Sequence, residues 1–356
     1  MPGVEGEIEL LQLGHREFGA IEEASFVYTT AFFLVLKFFM RVFGGLHKLS
    51  QVADCWSQFG ADGSALTIGN FDGVHEGHKA VIGQLRTQAA ALNLPVVVML
   101  FEPQPMEFFA KEKAPARLFR LRDKLAALRA LQVDAVVVLS FNDRFAGLSA
   151  QQFVEQVLVD ALQVKTLVIG DDFRFGAKRA GDFALLQSLG ARLGFSVFAT
   201  QSYLLDGERV SSTRVRAALA AGNFDLARRC LGRPYTLVGR VSRGRQLGRQ
   251  LGFPTANVLL RRNRSVLSGV FAVRFFVDGH AYEGVASIGV NPTVGALDQA
   301  QLEVFVFDFE GDLYGKRVEV EMALKIRDEL ALESLEELKA WIAKDCERAR
   351  AFFAAT

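Results

Sequence analysis

Between Ala65 and about Leu231, short apolar and β-branched runs alternate with stretches in which apolar positions recur every three or four residues. The short runs are Leu66–Gly69, Val96–Phe101, Ala135–Leu139, Leu167–Gly170 and Phe195–Thr200. The helical patterns include Lys79–Leu92, Arg120–Leu131, Ala150–Leu162 and Asp182–Leu193. Strands alternating with helices predict a parallel α/β sheet. Val96 to Leu100 is apolar without alternation, as expected of a strand covered on both faces. Ligands of such sheets bind beyond the carboxyl ends of the strands. Three segments follow strands directly and are expected on one rim: Gly69–His78, Phe101–Pro105 and Gly170–Asp172.

Near Gly232-Arg233-Pro234 the pattern changes. Strand-like runs then dominate, at Tyr235–Val241, Val270–Val277, Tyr282–Val290, Leu302–Phe309 and Val318–Met322, separated by turn residues. Short strands without intervening helices suggest a small antiparallel barrel. A closing helix is expected from Ser334 to about Phe352, with Ser334 as N-cap and Glu337 completing a capping box. The predicted domains are 40–231 and 232–356.

Residues 1–39 stand apart. Phe26 to Phe39 is apolar but contains Lys37 and is shorter than the roughly 20 residues needed to span a bilayer. The preceding segment is acidic, the reverse of a signal-peptide start. Two readings fit: a non-native or disordered extension ahead of a natural start at Met40, or an amphipathic, membrane-touching segment. The first is expected.

The chain has 356 residues, room for two domains, and 50% of them are apolar. A net charge of +1 argues for neither nucleic acid nor a membrane surface. Cys55, Cys230 and Cys346 are far apart and form no Cys-x-x-Cys, which argues against a zinc site or disulfide framework and fits a cytoplasmic protein. The sequence sets no oligomeric state.

The chemistry concentrates in Gly69-Asn70-Phe71-Asp72-Gly73-Val74-His75-Glu76-Gly77-His78. Two of five histidines sit on a glycine-rich turn between a strand and a helix N-terminus. Unpaired N–H groups there favour phosphate, and imidazoles add donors for charge that develops as a reaction proceeds. The wording resembles the nucleotidylyltransferase superfamily. More narrowly, it resembles the bacterial bifunctional riboflavin kinase/FMN adenylyltransferase family, also called FAD synthetases, from about Met40 to about Phe353. The resemblance implies a nucleotidylyltransferase-type parallel α/β domain followed by a flavokinase barrel with a C-terminal helix. It implies catalytic roles for His75 and His78, with Gly69, Phe71 and Gly77 at the ATP phosphates. Asp72 either orients the loop or sees a metal through water.

Further segments extend it. Phe101 to Phe109 has two prolines that stiffen a post-strand loop, which in the family helps form the substrate cleft. Gly170-Asp171-Asp172-Phe173-Arg174-Phe175-Gly176 offers carboxylates and two aromatic rings that could stack on a flavin or adenine. The resemblance implies that Asp172 lies by the substrate, and Phe173 and Phe175 are expected at the flavin. Arg209-Val210-Ser211-Ser212-Thr213-Arg214-Val215-Arg216 puts hydroxyls and arginines at a helix start. In the superfamily this stretch binds ATP opposite the histidines, which implies Arg209, Ser212, Thr213 and Arg216. Arg117 to Lys124 reads as a basic helix face. No covalent nucleophile presents itself, so direct in-line transfer is expected.

The second signal is Gly239-Arg240-Val241, Gly244-Arg245, Gly248-Arg249 and Leu251-Gly252-Phe253-Pro254-Thr255-Ala256-Asn257. It is not a P-loop. Gly-Phe-Pro-Thr-Ala-Asn matches the flavokinase signature, which implies ATP contacts at Gly248, Gly252 and Pro254 and Mg²⁺ held by Thr255 and Asn257. Oxygen ligands suit that ion. The same match makes Glu303 the general base; Arg327 is expected to help shape the flavin or nucleotide pocket, with the flavin favoured. Phe271, Ser287 and Phe305 depart from residues common there, and none of them is expected to touch Thr255, Asn257 or Glu303. The implied small-molecule partners are riboflavin, FMN and ATP, with FMN and FAD passing as substrate and product rather than as prosthetic groups.

Overall fold

The computed structural model describes residues 40–45, 55–244, 248, 251–262, 264–291, 299–331 and 333–356. The expectations for residues 1–39, and the arginines Arg245 and Arg249, lie outside them. Two compact units emerge. The first holds the described residues up to Pro115 together with Leu121–Leu204, and the second holds Ala116–Arg120 and Leu205–Thr356.

In the first unit, β1 (Arg41–Gly44), β2 (Ser64–Ile68), β3 (Val96–Glu102), β4 (Ala135–Ser140), β5 (Val164–Ile169) and β6 (Ser196–Ala199) form one sheet. Its order is β1-β4-β3-β2-β5-β6, with every pairing parallel. β1 has four residues at the sheet edge, too few to show a pattern in the sequence. The central strands are buried on both faces. Leu66, Val97 and Leu167 are fully enclosed, with Val154, Leu158 and Leu186 packed over them. Burying each such side chain contributes roughly 1.5–3 kcal/mol. The helix expected at 150–162 begins as α at Ala150–Gln152 and continues with π-helical turns over Phe153–Ala161.

The chain winds from β2 outward through β3 and β4, then returns to place β5 on the other side of β2. The strand order therefore reverses between β2 and β5, and a crevice opens beyond the carboxyl ends at such a reversal. β3, β2 and β5 are adjacent and parallel. The three segments expected on one rim do leave the sheet side by side.

Ahead of the barrel comes a short ribbon, β7 (Leu204–Leu205) and β8 (Glu208–Arg209). β9 (Thr236–Ser242), β10 (Thr255–Leu259), β11 (Gly269–Val277), β12 (His280–Asn291), β13 (Gln299–Val306) and β14 (Arg317–Arg327) close a barrel in the order β10-β13-β12-β11-β14-β9. All pairings are antiparallel. Inward positions such as Leu237, Ala256, Val258, Leu302 and Val304 make the core. A helix, Leu335–Ala354, covers an outer patch of Val270, Ala272, Val285 and Phe307 through Ala349 and Phe353. Ser334 caps it by accepting from the Glu337 amide at 3.1 Å. Glu337 reaches back to the Glu333 amide, one residue before the partner a capping box uses.

Packing divides the chain between residues 204 and 205, earlier than the expected 231/232. Helices Ser212–Ala220 and Phe224–Leu231 bury Val215, Leu219, Ala227, Cys230 and Leu231 in the barrel's core cluster. Periodicity identifies a helix but not the sheet it covers. All three cysteines are free and buried. Among the described residues no helix is long and apolar enough to cross a membrane.

Candidate active sites

The loop after β2 is tightly wound. Phe71 (φ 46°), Gly73 (φ 81°) and Val74 (φ 42°) all adopt positive φ. For a β-branched valine that is a strained conformation, of the kind that concentrates at functional sites. The loop delivers His75 as N-cap of the helix Glu76–Ala91, where serine, threonine or aspartate is usual. His75 Nδ1 accepts from the His78 amide at 3.3 Å. With Nδ1 accepting, the ring proton is carried on Nε2. Three rings stack in sequence. His75 and His78 lie 3.7 Å apart at 16°, and Phe71 lies 4.6 Å from His78 at 29°.

His78 Nδ1 is buried with no hydrogen-bond partner among the described residues, although the residue as a whole is only partly covered. Burial, then the His75 ring, then the Lys124 charge hold its pKa well below the ordinary 6.5. At neutral pH His78 is thus a neutral imidazole. Lys124 is 1% exposed and so lies off the expected basic face, on which Arg122 is exposed. Its helix, Leu121–Ala130, buries Leu121, Lys124, Leu125 and Leu128 on one stripe, and the lysine belongs to that stripe.

Beside this loop, Gly170 leaves room for Asp172. A Cβ at Gly170 would stand 2.6 Å from Asp172 Oδ1. Phe173 stacks on Phe175 at 5.8 Å and 15°. Phe175 is a core residue, 6% exposed, held between Phe153 and the bare backbone of Gly181. After β3, Gln104 caps the short helix Pro105–Ala110 in a reciprocal box with Glu107, following the cis Glu102–Pro103 bond. Gln104 Nε2 is buried with no partner among the described residues.

The second unit holds the remaining expected residues. Ser211, rather than Ser212, caps the helix Ser212–Ala220, accepting from the Arg214 amide at 3.2 Å. Ser212 and Thr213 therefore occupy its first turn, Arg216 follows one turn on, and Arg209 ends β8. On the barrel, β10 and β13 pair so that Asn257 faces Glu303 and Thr255 faces Phe305. Thr255 donates to Glu303 Oε2 at 3.4 Å. These side chains point outward, since the alternating Ala256, Val258, Leu302 and Val304 point into the core. Gly244 touches the group: a Cβ there would meet the Asn257 side chain at 2.3–2.5 Å. Gly248 likewise admits Phe253 O, and Gly252 needs its φ of 88°. Arg327 is held by Asp345, with Nε at 3.0 and 3.1 Å and Nη2 at 2.7 Å, and lies over Trp341.

A family model described as FAD synthetase matches residues 59–214, and one described as riboflavin kinase matches 231–353. The bifunctional riboflavin kinase/FMN adenylyltransferase of Escherichia coli K12 is 51% identical over 318 residues, covering 89% of this chain and 99% of that protein. Those of Haemophilus influenzae and Pseudomonas fluorescens are 49% and 52% identical over 315 residues, covering 88% of this chain and 99% and 98% of theirs. The chain belongs to the bifunctional riboflavin kinase/FMN adenylyltransferase family. A solved structure from Streptococcus pneumoniae, described as a macrolide-efflux protein, matches the fold with a TM-score of 0.69 at 29% identity, over 82% of this chain and 95% of that one.

Within this family frame, the first unit gathers Gly69, Phe71, His75, Gly77 and His78, on the loop after β2 and the first turn of its helix, and Asp172 and Phe173 after the adjacent β5. Arg209, Ser212, Thr213 and Arg216 fall in the second unit, as do Thr255, Asn257, Glu303, Gly248, Gly252, Pro254 and Arg327. The expectation that none of the three departures touches Thr255, Asn257 or Glu303 is corrected for two of them by strand register. Ser287 is the cross-strand neighbour of Glu303, and Phe305 that of Thr255. Phe271 is fully buried in the barrel core. Gln104 and Asp345 were not singled out from the sequence, and Lys124 was read as part of a basic face although it falls on the apolar stripe at Leu121, Leu125 and Leu128.

Proposed function

We propose that the protein phosphorylates riboflavin to FMN with one ATP and adenylylates FMN to FAD with another. The observation that carries this reading is the separation of chemistries. The FAD synthetase match contains the stacked histidines at the sheet's reversal point, and the riboflavin kinase match contains Thr255, Asn257 and Glu303. The domains act as 40–231 and 232–356, although packing divides them earlier.

In the kinase step, Glu303 takes the proton of riboflavin's terminal hydroxyl as that oxygen attacks the γ-phosphorus of ATP, and ADP leaves. The hydroxyl of Thr255 and the amide oxygen of Asn257, beside the Glu303 carboxylate, are oxygen donors that suit magnesium. When bound, Mg²⁺ supplies positive charge to the phosphates. Gly248, Gly252 and Pro254 shape the loop along the nucleotide. Arg327, fixed by Asp345, borders the flavin.

In the second step, an FMN phosphate oxygen attacks the α-phosphorus of the second ATP, and pyrophosphate leaves. The reaction passes through no covalent enzyme intermediate, so the protein contributes position and charge stabilisation. His75 Nε2–H and the His78 ring face the charge that develops on the phosphate oxygens. The backbone of Gly69, Phe71 and Gly77 approaches them with the amides of the helix start. Ser212, Thr213, Arg209 and Arg216 hold the polyphosphate. Asp172 and Phe173 contact the flavin, with Phe175 behind them. We place the reactions in the cytoplasm.

Chromatography of products from riboflavin, ATP and magnesium over time tests the reading. FMN first and FAD later is expected. Absence of FMN from riboflavin, or of FAD from supplied FMN, would remove the corresponding half.

A further inference from the structure

Five residues, Ala116–Arg120, interrupt the first unit. Pro115 and Leu121 belong to the first unit, whereas these five belong to the second. Three successive carbonyls among them are each taken by a side chain of the second unit. Ala116 O accepts from Arg216 Nε at 2.7 Å, Arg117 O from Arg262 Nη1 at 3.5 Å, and Leu118 O from the Tyr235 hydroxyl at 3.2 Å. Arg262 also donates to the Tyr235 oxygen at 3.4 Å. Arg120 reaches the other way, donating to Val238 O at 2.8 Å and Leu260 O at 3.2 Å on β9 and just past β10. Leu118 is fully buried in the cluster that holds Val210, Val215 and Leu219, and Arg233 lies 4.9 Å over the Phe119 ring.

A passing loop needs none of this. Tyr235 and Arg262 are 2% and 7% exposed, and a buried polar group left without its partner is costly. What the arrangement fixes is the direction of a guanidinium. Arg216 commits Nε to Ala116, and Ala116 is held in place by the anchors that follow it.

We propose that Ala116–Arg120 is a strap that orients Arg216 for adenylyl transfer, and that Arg120, Tyr235 and Arg262 are positioning residues for that reaction although they bind no substrate. The inference rests on the reading of Arg216 as a phosphate ligand. Tyr235→Phe, Arg120→Ala and Arg216→Ala in the full chain test it, with both reactions followed at steady state. Tyr235→Phe removes only a hydroxyl, and riboflavin kinase activity reports an intact barrel. The first two variants are expected to raise the KM for ATP in adenylyl transfer about five- to tenfold, with a smaller change in kcat and kinase parameters unchanged. Equal losses in both reactions would overturn the strap. So would unchanged adenylyl transfer in these variants while Arg216→Ala is impaired. Unchanged adenylyl transfer in Arg216→Ala would instead remove the reading beneath it.

Discussion

His78 is confined between Phe71 and His75, with a buried ring nitrogen and a lysine charge nearby. Each of these opposes a second proton on the ring. In the free protein the His78 resonance is expected to titrate below 6.5, and added pyrophosphate should move the midpoint up because an anion favours the imidazolium. The unfolded chain binds this proton more readily, so the site lowers stability as pH falls through 6.5 and contributes nothing above it. An NMR titration midpoint at or above 6.5 would contradict the stack as drawn. On the barrel, Gly244→Ala drives a methyl into Asn257. Displacing a catalytic group by about 1 Å costs on the order of 10²-fold. Riboflavin phosphorylation should fall by about that factor and adenylyl transfer should stay. Kinase assays of this variant at full activity would show that Asn257 can shift without cost.

At the scale of elements, the C-terminal helix matters for more than the apolar patch it covers. Asp345 is 1% exposed and chelates Arg327 at the end of β14. Removing one partner of such a pair strands the other charge, at about 3–5 kcal/mol. Asp345→Ala is expected to lose stability of that order in denaturant unfolding and to raise the KM for riboflavin, and a change in neither would show that the pair is ornamental. This contact was invisible in the sequence because residues 327 and 345 belong to a strand and a helix with no fixed spacing. The parallel strands were legible, since buried β-branched runs bounded by turns have few other readings. β1 and the Phe224–Leu231 helix were not legible, one being too short and the other lying where a boundary was expected. The kinase residues were legible as a motif. Their outward placement on the barrel and the Ser287 and Phe305 neighbours came only with strand register. His75 acting as a helix cap follows from where the helix starts, three residues earlier than periodicity indicated.

For the whole molecule, the division by packing and the division by chemistry do not coincide. Residues 205–231 and the strap belong structurally to the barrel unit, yet by the proposed chemistry they serve the adenylyl step. The central claim is that two separate sets of residues perform two successive reactions. The most direct test pairs His78→Ala with Glu303→Ala, each assayed for FMN formed from riboflavin and for FAD formed from supplied FMN. His78→Ala should abolish FAD formation and leave FMN formation intact, and Glu303→Ala should do the reverse. If either folded variant lost both activities equally, the two sites would not be independent and the account would fail.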